Sequence, residues 1–558
     1  MDDNVTYTGI APRDKDLLTE VMVSTPPIIG VDTETISLED KTMIGLAIAF
    51  NEYDSFWFRN NGSIFFEMAL RLLHNPNITK VFHNSKFDFD VFERNNFPID
   101  HTNFEDSEIL AYTLNMPQKL YNLAASLGFS IPIEYFNFDI PKGTTMLDKP
   151  MELICGKCGL DSRLALKCWN RLKDQVTESY QIDRDLVDIL RGMETRGVKV
   201  NEDCLTEFYY VVGGELDFLR QIIQTKGCDP ASNLQVGQIL AQRGHRLPLT
   251  KSRKQYRVDD TVLSSLTTDP FAQSIRIYRE KAKLQSTYIE PLLNITRVHT
   301  SWNNTRVVTG RLSSSDPNMQ NIPDFFRVVF IADDMFYSLD ANQIELRVVA
   351  WLAQDPVLLS AFMNGEDVHL RTMKEMGITD RRVAKILNFG VLYGGDEYTI
   401  MENAKKQGIM ITPQEARNFV IQYFDRMKKV REWIEYTRSL VHSSGVVRTM
   451  FGRIRKVPYG VDLTDRKQAV KVEREMINMP VQGSAAEIVK KAMVKTKNYD
   501  LRIQVHDELL FDGACPGPQM FGNLAPFPTP FELKVGKNWG EMEKISGYGK
   551  VVPTRTVP

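Results

Sequence analysis

The chain has 558 residues, 43% of them apolar and 25% charged, with a formal net charge of −3 at pH 7. Single hydrophobic cores stop growing at about 250–300 residues, so two or more domains are expected, and the balanced composition excludes long disorder. The charge gives no global signature of a polyanionic partner, so any nucleic-acid surface must come from local clusters of Lys and Arg.

In chain order, the first segment, MDDNVTYTGIAPRDKD, is acidic and lacks the apolar core of a signal peptide. No later stretch approaches the roughly 20 apolar residues of a membrane span. A reducing, soluble, cytoplasmic setting without a membrane partner is expected. The six cysteines, 155, 158, 168, 204, 228 and 515, read as reduced structural thiols, because no second pair stands at metal-ligand spacing from Cys155 and Cys158.

Residues 28–50 alternate short apolar runs with polar turns, and helical patterns follow around 64–74, 86–95 and 151–174, which predicts an α/β domain. In IIGVDTET the spacing of two sets Asp32 and Glu34 on one face of a strand, where both reach one metal pair. From about 181 to 295 the pattern is mostly helical and predicts an arm rather than a sheet domain. Within it, Arg243, Arg246, Lys251, Arg253, Lys254 and Arg257 occur with no acid among them, a patch suited to phosphate. The bland alternative is a solvated basic loop.

Residues 327–353 return to strand and then helix, 366–440 are largely helical, and 501–512 form an apolar run broken by His506, Asp507 and Glu508. No repeat, low-complexity tract or GxxxxGK[ST] loop appears, so an ATP-driven motor is not suggested. An apolar strand delivers Asp340, and the following helix begins near Gln343 and carries Glu345 and Arg347. Asp507 and Glu508 lie at the turn of what reads as a hairpin. Two carboxylates meeting from separate strands suit a pair of divalent ions that clamp attacking and leaving oxygens in phosphoryl transfer. Either acid alone is more often a cap or turn former. In RRVAKILNFGVLYGG, Arg381, Lys385, Phe389 and Tyr393 recur every four residues and share one helical face. The cations suit a triphosphate and the rings suit a base or sugar; a plain amphipathic helix is the alternative.

These three segments resemble motifs A, B and C of the family A DNA polymerases, the DNA polymerase I family. TGRLSSSDPNMQNIP (309–323), YREKAKLQSTYIEPL (278–292), GVVRTMFGRIRKVP (445–458), REMINMPVQGSAAEIVKKAM (474–493) and VGKNWGE (535–541) follow that family's order as well. The resemblance implies an α/β multidomain fold, a ribonuclease H-like exonuclease domain (1–180) followed by a right-hand polymerase. That hand comprises a thumb (181–300), palm (301–365), fingers (366–444), and second palm part with C-terminal tail (445–558). It implies Asp340 and Asp507 as metal ligands with the backbone of Ala341 beside the second ion, Glu508 and His506 near the primer end, and Arg381 and Lys385 on the triphosphate with His369 close by. Gln343 belongs to the same nucleotide site, where Glu345, with Tyr393 packed near it, is implied to exclude a ribose 2′ hydroxyl. Arg311, Gln320, Asn321, Arg347, Gln482 and Lys283 are implied DNA contacts. Motif A departs from the common Asp-Tyr-Ser-Gln, reading Asp340-Ala341-Asn342-Gln343. The Pro/Gly-rich stretch 512–530 stands where relatives often have a helix.

The N-terminal acids resemble the DEDD 3′–5′ exonucleases, with Asp88 and Asp161 completing the set from two helices and Asn84 at the family's usual Asn. Lys157 is the anomaly: four residues before the last Asp the family has Tyr or His to position the attacking water. A protonated lysine donates a hydrogen bond but cannot act as a base. Retained but weakened excision is expected. The implied cofactors are two Mg²⁺ per site, replaceable by Mn²⁺. The implied partners are primer-template DNA and dNTPs, with a monomer expected and no replisome partner specified. The start almost at the exonuclease predicts that the 5′-nuclease domain of many bacterial relatives is absent, and the short thumb leaves no room for a large processivity insertion. That layout resembles phage enzymes, or an organellar enzyme stripped of its transit peptide. Three rival classes, a stand-alone nuclease, a single-subunit RNA polymerase and a non-catalytic DNA clamp, are disfavoured by the full set of Asp340, Arg381, Lys385 and Asp507, by Glu345, and by the paired carboxylates.

Overall fold

The computed structural model describes residues 5–7 and 26–546, apart from 98, 137, 393, 394 and 396. The N-terminal unit is built on a six-stranded mixed sheet in the order Val5–Tyr7, Ser55–Arg59, Met43–Ala49, Ile28–Thr35, Thr79–Phe82, Phe104–Asp106. The first three pairings are antiparallel and the last two parallel. Every residue of Met43–Ala49 is buried, as expected for a continuous apolar run covered on both faces. The Met151–Leu172 helix lies directly on Ile28–Thr35 because Gly30 has no side chain. A Cβ there would sit 2.1 Å from the Ser162 carbonyl oxygen. This close approach brings Asp161 to Asp32 and Glu34.

The second sheet is antiparallel, in the order Asp500–Val505, Glu508–Asp512, Phe330–Ala341, Phe531–Asn538, Glu543–Ile545, with Val198–Val200 and Arg297–Val298 added beside Phe330 and Ile331. The region 181–295 is therefore not purely a helical arm: its three-residue strand belongs to the palm sheet, too short to stand out in a helical pattern. A register shift between Ile331 and Phe336 is held by the Asp512 carboxylate, which accepts from the amides of Asp333, Asp334 and Met335 at 2.8, 3.0 and 3.2 Å.

Helices Glu202–Gln224, Asn233–Gln242, Asp260–Ser265 and Pro270–Leu284 form the arm. Six more, from Pro356–Met363 to Lys428–Ser443, are inserted between the strand that carries Asp340 and the Asp500–Asp512 hairpin. Among the described residues no helix is long and apolar enough to cross a membrane. The basic patch of the arm is partly neutralised by acids that follow it in the chain. Arg243 donates to Asp269 at 2.8 and 3.1 Å, and Arg257 pairs with Asp259 at 2.7 Å, which leaves the exposed Arg246, Lys251, Arg253 and Lys254 as the patch's cations without an ion-pair partner among the described residues.

A buried ionic cluster joins the region following the first sheet to the palm. Arg453 donates to Asp183 at 2.5 Å and to Glu487 at 2.9 Å, and Lys490 donates to Asp183 at 2.6 Å. All four side chains are essentially excluded from solvent. Tyr112, from the helix Ser107–Thr113, lies under the Arg453 guanidinium, 4.7 Å from ring centroid to Cζ.

Candidate active sites

Asp340 is near the end of the central palm strand, opposite Glu508 on one neighbour and Glu532 on the other. Asp507 occupies the hairpin turn, and its carbonyl accepts from the Ala341 amide at 3.0 Å, which fixes the turn against the strand end. Burial, followed by the charges of Asp507 and Glu508, raises the Asp340 pKa to about 6. Burial also raises that of Asp507, while Arg311 opposes the rise. Asp340, its ionisation opposed by burial and by the charges of Asp507 and Glu508, stands with a second buried carboxylate, and this donor set fits divalent cations. Glu508 faces sideways: it accepts from Ser338 Oγ at 2.5 Å and from Trp539 Nε1 at 3.3 Å, with Arg327 at 3.6 Å.

Gln343, two residues beyond the strand's end at Ala341, has a left-handed backbone (φ 53°), and the helix Ile344–Ala353 starts from it. Glu345, in its first turn, is buried and meets Arg311 Nη2 at 2.7 Å. Burial raises the Glu345 pKa to about 7 although Arg311 pulls it down. Arg347 is 7% exposed and hydrogen-bonded to the carbonyls of Asn342 at 2.9 Å and Pro528 at 3.3 Å, over the Phe362 ring. Burial lowers its pKa to about 10. The Asn342 amide donates to the Pro530 carbonyl at 3.0 Å. The 512–530 stretch thus buttresses the end of the Asp340 strand, with Phe521 and Leu524 buried beneath and a single 3₁₀ turn at Pro518–Phe521 in place of a helix.

Arg381, Lys385 and Phe389 lie along the helix Arg381–Leu392, with Arg381 and Lys385 exposed and Phe389 half-buried. Tyr393 lies outside the described residues. Arg381 is held by Asp367 at 2.6 Å, whereas Lys385 has no ion-pair partner among the described residues. His369 is buried; its Nδ1 accepts from Asn388 Nδ2 at 2.9 Å, and its ring centroid lies 5.8 Å from that of Phe389. Burial lowers its pKa to about 4, so it is neutral at pH 7. Gln320 donates to the Gln504 side chain at 2.8 Å, and Gln504 donates to the His506 carbonyl at 2.5 Å. Gln504 is a member the sequence reading missed; its place two residues before His506 was the available signal. Gln482 is half-buried on the helix Arg466–Lys495, His506 and Asn321 are exposed, and Lys283 is exposed in the last turn of Pro270–Leu284.

In the N-terminal unit Asp32 and Glu34 share one strand face as their spacing predicts, and Asp161, implied by the resemblance, converges on them. Asp88 is close but its Oδ1 accepts from Thr33 Oγ1 at 2.7 Å. Burial raises the Asp88 pKa to about 7, and burial together with Asp161 raises that of Asp32 well above the usual carboxylate range. Asp32 Oδ2 and Asp161 Oδ1 are buried oxygens without a hydrogen-bond partner, the kind of orphaned acceptor a cation satisfies. Cys158 adds a thiol: its sulfur and one oxygen each of Asp32 and Glu34 lie within 4.8 Å of one another. The cysteine reading missed this, although Cys158 and Asp161 are one helical turn apart. Burial pushes the thiol pKa well up, so it remains protonated. The buried Tyr121 hydroxyl, from Leu120–Ser126, faces Asp161. Asn84 is the exposed left-handed residue before the helix Ser85–Arg94, and its amide donates to Asp106 at 3.3 Å.

Lys157 enters the centre of this site. Its ammonium lies 2.7 Å from Glu34 Oε1 and 2.8 Å from Asp161 Oδ2. Burial opposes its charge, but Asp161, Glu34 and Asp32 more than offset that, and its pKa lies well above the ordinary lysine value.

Residues 215–516 match the model of DNA polymerase family A, and residues 12–140 match that of a 3′–5′ exonuclease. DNA polymerase I of Borreliella burgdorferi is 30% identical over 97% of this chain and 65% of its own length. The thermostable DNA polymerase I of Thermus aquaticus is 34% identical over 68% of this chain and 50% of its own. The chain thus spans about half to two thirds the length of these relatives. The solved POL domain of Pol1 from M. smegmatis, in complex with DNA primer-template and dNTP, superposes with a TM-score of 0.76 at 25% identity, over 95% of this chain and 99% of that one. With over half of the chain inside the polymerase model, this protein belongs to DNA polymerase family A and carries an exonuclease domain ahead of its polymerase region.

Proposed function

We propose that the chain extends a primer 3′ end with dNTPs on a DNA template and removes 3′ nucleotides at its N-terminal site, the second activity being slowed by Lys157. The observation that carries the reading is the meeting of the buried Asp340 and Asp507 at one strand end, with the helix whose exposed face bears Arg381 and Lys385 packed against the helix that follows Asp340. The domain division given by the resemblance is proposed with it, from the exonuclease at 1–180 to the second palm part at 445–558.

A bound divalent ion, Mg²⁺ or Mn²⁺, would supply positive charge at the primer hydroxyl and the triphosphate. Asp340, Asp507 and the backbone of Ala341 would hold it. The chain's own residues do the rest. Lys385 and Arg381 neutralise the triphosphate, Arg381 exchanging its Asp367 partner for phosphate oxygens. Phe389 supports the base or sugar, and neutral His369, fixed by Asn388, offers a ring nitrogen near the phosphates without adding charge. Glu345 closes the sugar 2′ side, held in place by Arg311. Arg311, Gln320, Gln482 and His506 line the DNA side of the same strand end.

At the N-terminal site Asp32, Glu34, Asp88 and Asp161 are proposed ligands, and Asn84 borders the path of the 3′ end. A 5′-labelled primer on a longer template, incubated in Mg²⁺ with and without the four dNTPs, tests both activities. Lengthening with nucleotides and shortening without them is the expected pair of results. Shortening alone would leave a nuclease and sink the polymerase reading.

A further inference from the structure

We infer that the Lys157 ammonium is a built-in counter-ion occupying one of the two cation positions of the exonuclease site, so that the site takes up divalent ions poorly until that lysine is removed. This deepens, and rests on, the reading of Asp32, Glu34, Asp88 and Asp161 as a metal-binding set. The geometry points to replacement rather than to mere proximity. Lys157 touches carboxylates from two different elements, Glu34 on the strand and Asp161 on the helix, at 2.7 and 2.8 Å. Its approach is fixed by the packing of Met151–Leu172 on Gly30, and its ammonium also lies 5.6 Å from the centre of the Phe138 ring, which covers it from a third direction.

Among the oxygens it does not touch, Asp32 Oδ2 and Asp161 Oδ1 are buried without a hydrogen-bond partner. The site therefore has acceptors for a further cation beyond the one the chain supplies. A resident positive charge acts twice against such an ion: it occupies two donor oxygens, and it repels a second cation a few ångströms away in a partly desolvated site. The lysine is tethered, so its local concentration is fixed and added metal must displace it rather than fill a gap.

The test measures ion uptake, not excision. Free Mn²⁺ is titrated by electron paramagnetic resonance against the full chain carrying Asp340→Asn and Asp507→Asn, so that polymerase-site uptake is suppressed. Lys157→Met in that background is predicted to bind Mn²⁺ at least about ten-fold more tightly, and to take up one more ion per chain at saturation. Lys157→Arg, which keeps the charge, stays within about two-fold of the parent. Thermal melts give a second readout: the Lys157→Met chain is less stable than the parent in EDTA and gains more from Mn²⁺. Primer extension by Lys157→Met with Asp340 and Asp507 intact checks its folding, and Lys157→Gln serves for the same comparison if that variant does not fold. Equal Mn²⁺ affinity and stoichiometry in the parent and the neutral variants would overturn the inference, whatever happens to excision. A gain in Mn²⁺ uptake without primer shortening in any variant would uphold it while removing the exonuclease reading.

Discussion

Arg311 and Glu345 meet at 2.7 Å, joining the segment before the palm strand to the first turn of the helix after it. The pair stands between the DNA side and the sugar side of the proposed site, and Glu345 is buried while Arg311 remains about a third exposed. Glu345→Ala is expected to raise ribonucleotide insertion at least about ten-fold relative to deoxynucleotide, since it opens the 2′ space. Arg311→Ala should produce part of the same relaxation by removing one of the contacts that hold Glu345, in addition to weakening DNA binding. Single-nucleotide insertion with paired ribo- and deoxynucleotides, on both variants and the double variant, measures the coupling. Additive effects would show that the two side chains act separately.

Phe389 has no hydroxyl to place beside the sugar 3′ position. Phe389→Tyr is predicted to improve dideoxynucleotide insertion by an order of magnitude or more, with ordinary extension little changed. Termination ladders at fixed dideoxy-to-deoxy ratios measure it, and unchanged ladders would remove Phe389 from the sugar site.

The buried cluster of Asp183, Arg453, Glu487 and Lys490 predicts a stability effect far from the chemistry. Removing one partner leaves an uncompensated buried charge, a loss of about 3–5 kcal/mol. Arg453→Met should show this in denaturant unfolding and make the junction more open to proteolysis. A loss under about 1 kcal/mol would mean that the cluster reorganises or neutralises itself.

His369 gives a pH signature. Its folded pKa, about 4, is depressed below the ordinary 6.5, so the folded state binds fewer protons than the unfolded one. Its favourable contribution is therefore present above about pH 6.5 and is lost as pH falls towards 4. His369→Gln, which keeps hydrogen-bonding capacity, should flatten the stability curve in that window relative to the parent. Identical slopes would contradict the buried neutral imidazole.

Much of this arrangement was legible in the sequence, because strands and helices convert spacing into geometry. The two-residue step put Asp32 and Glu34 on one strand face, and the four-residue step put Arg381, Lys385 and Phe389 on one helix. Long-range pairing was not legible. Asp259, only two residues after Arg257, was within local reach, whereas nothing local in Arg243 announces Asp269 as a partner, and the acid-free run suggested a freer patch than exists. The same holds for Lys157, read as a poor base but found between Glu34 and Asp161, and for Thr33, whose hydroxyl takes up one oxygen of Asp88. The stretch 512–530 has neither period, so its support of Asn342 and Arg347 through the carbonyls of Pro530 and Pro528 shows only in three dimensions.

In the proposed function Asp340 and Asp507 hold the chemistry of nucleotide addition. Rapid-quench insertion of one dNTP into a pre-bound primer-template, compared among the parent, Asp340→Asn and Asp507→Asn, tests it most directly. A rate loss of about a thousand-fold or more is expected in each variant, with DNA affinity within a few-fold of the parent. Insertion at near-parental rates in either variant would contradict this role.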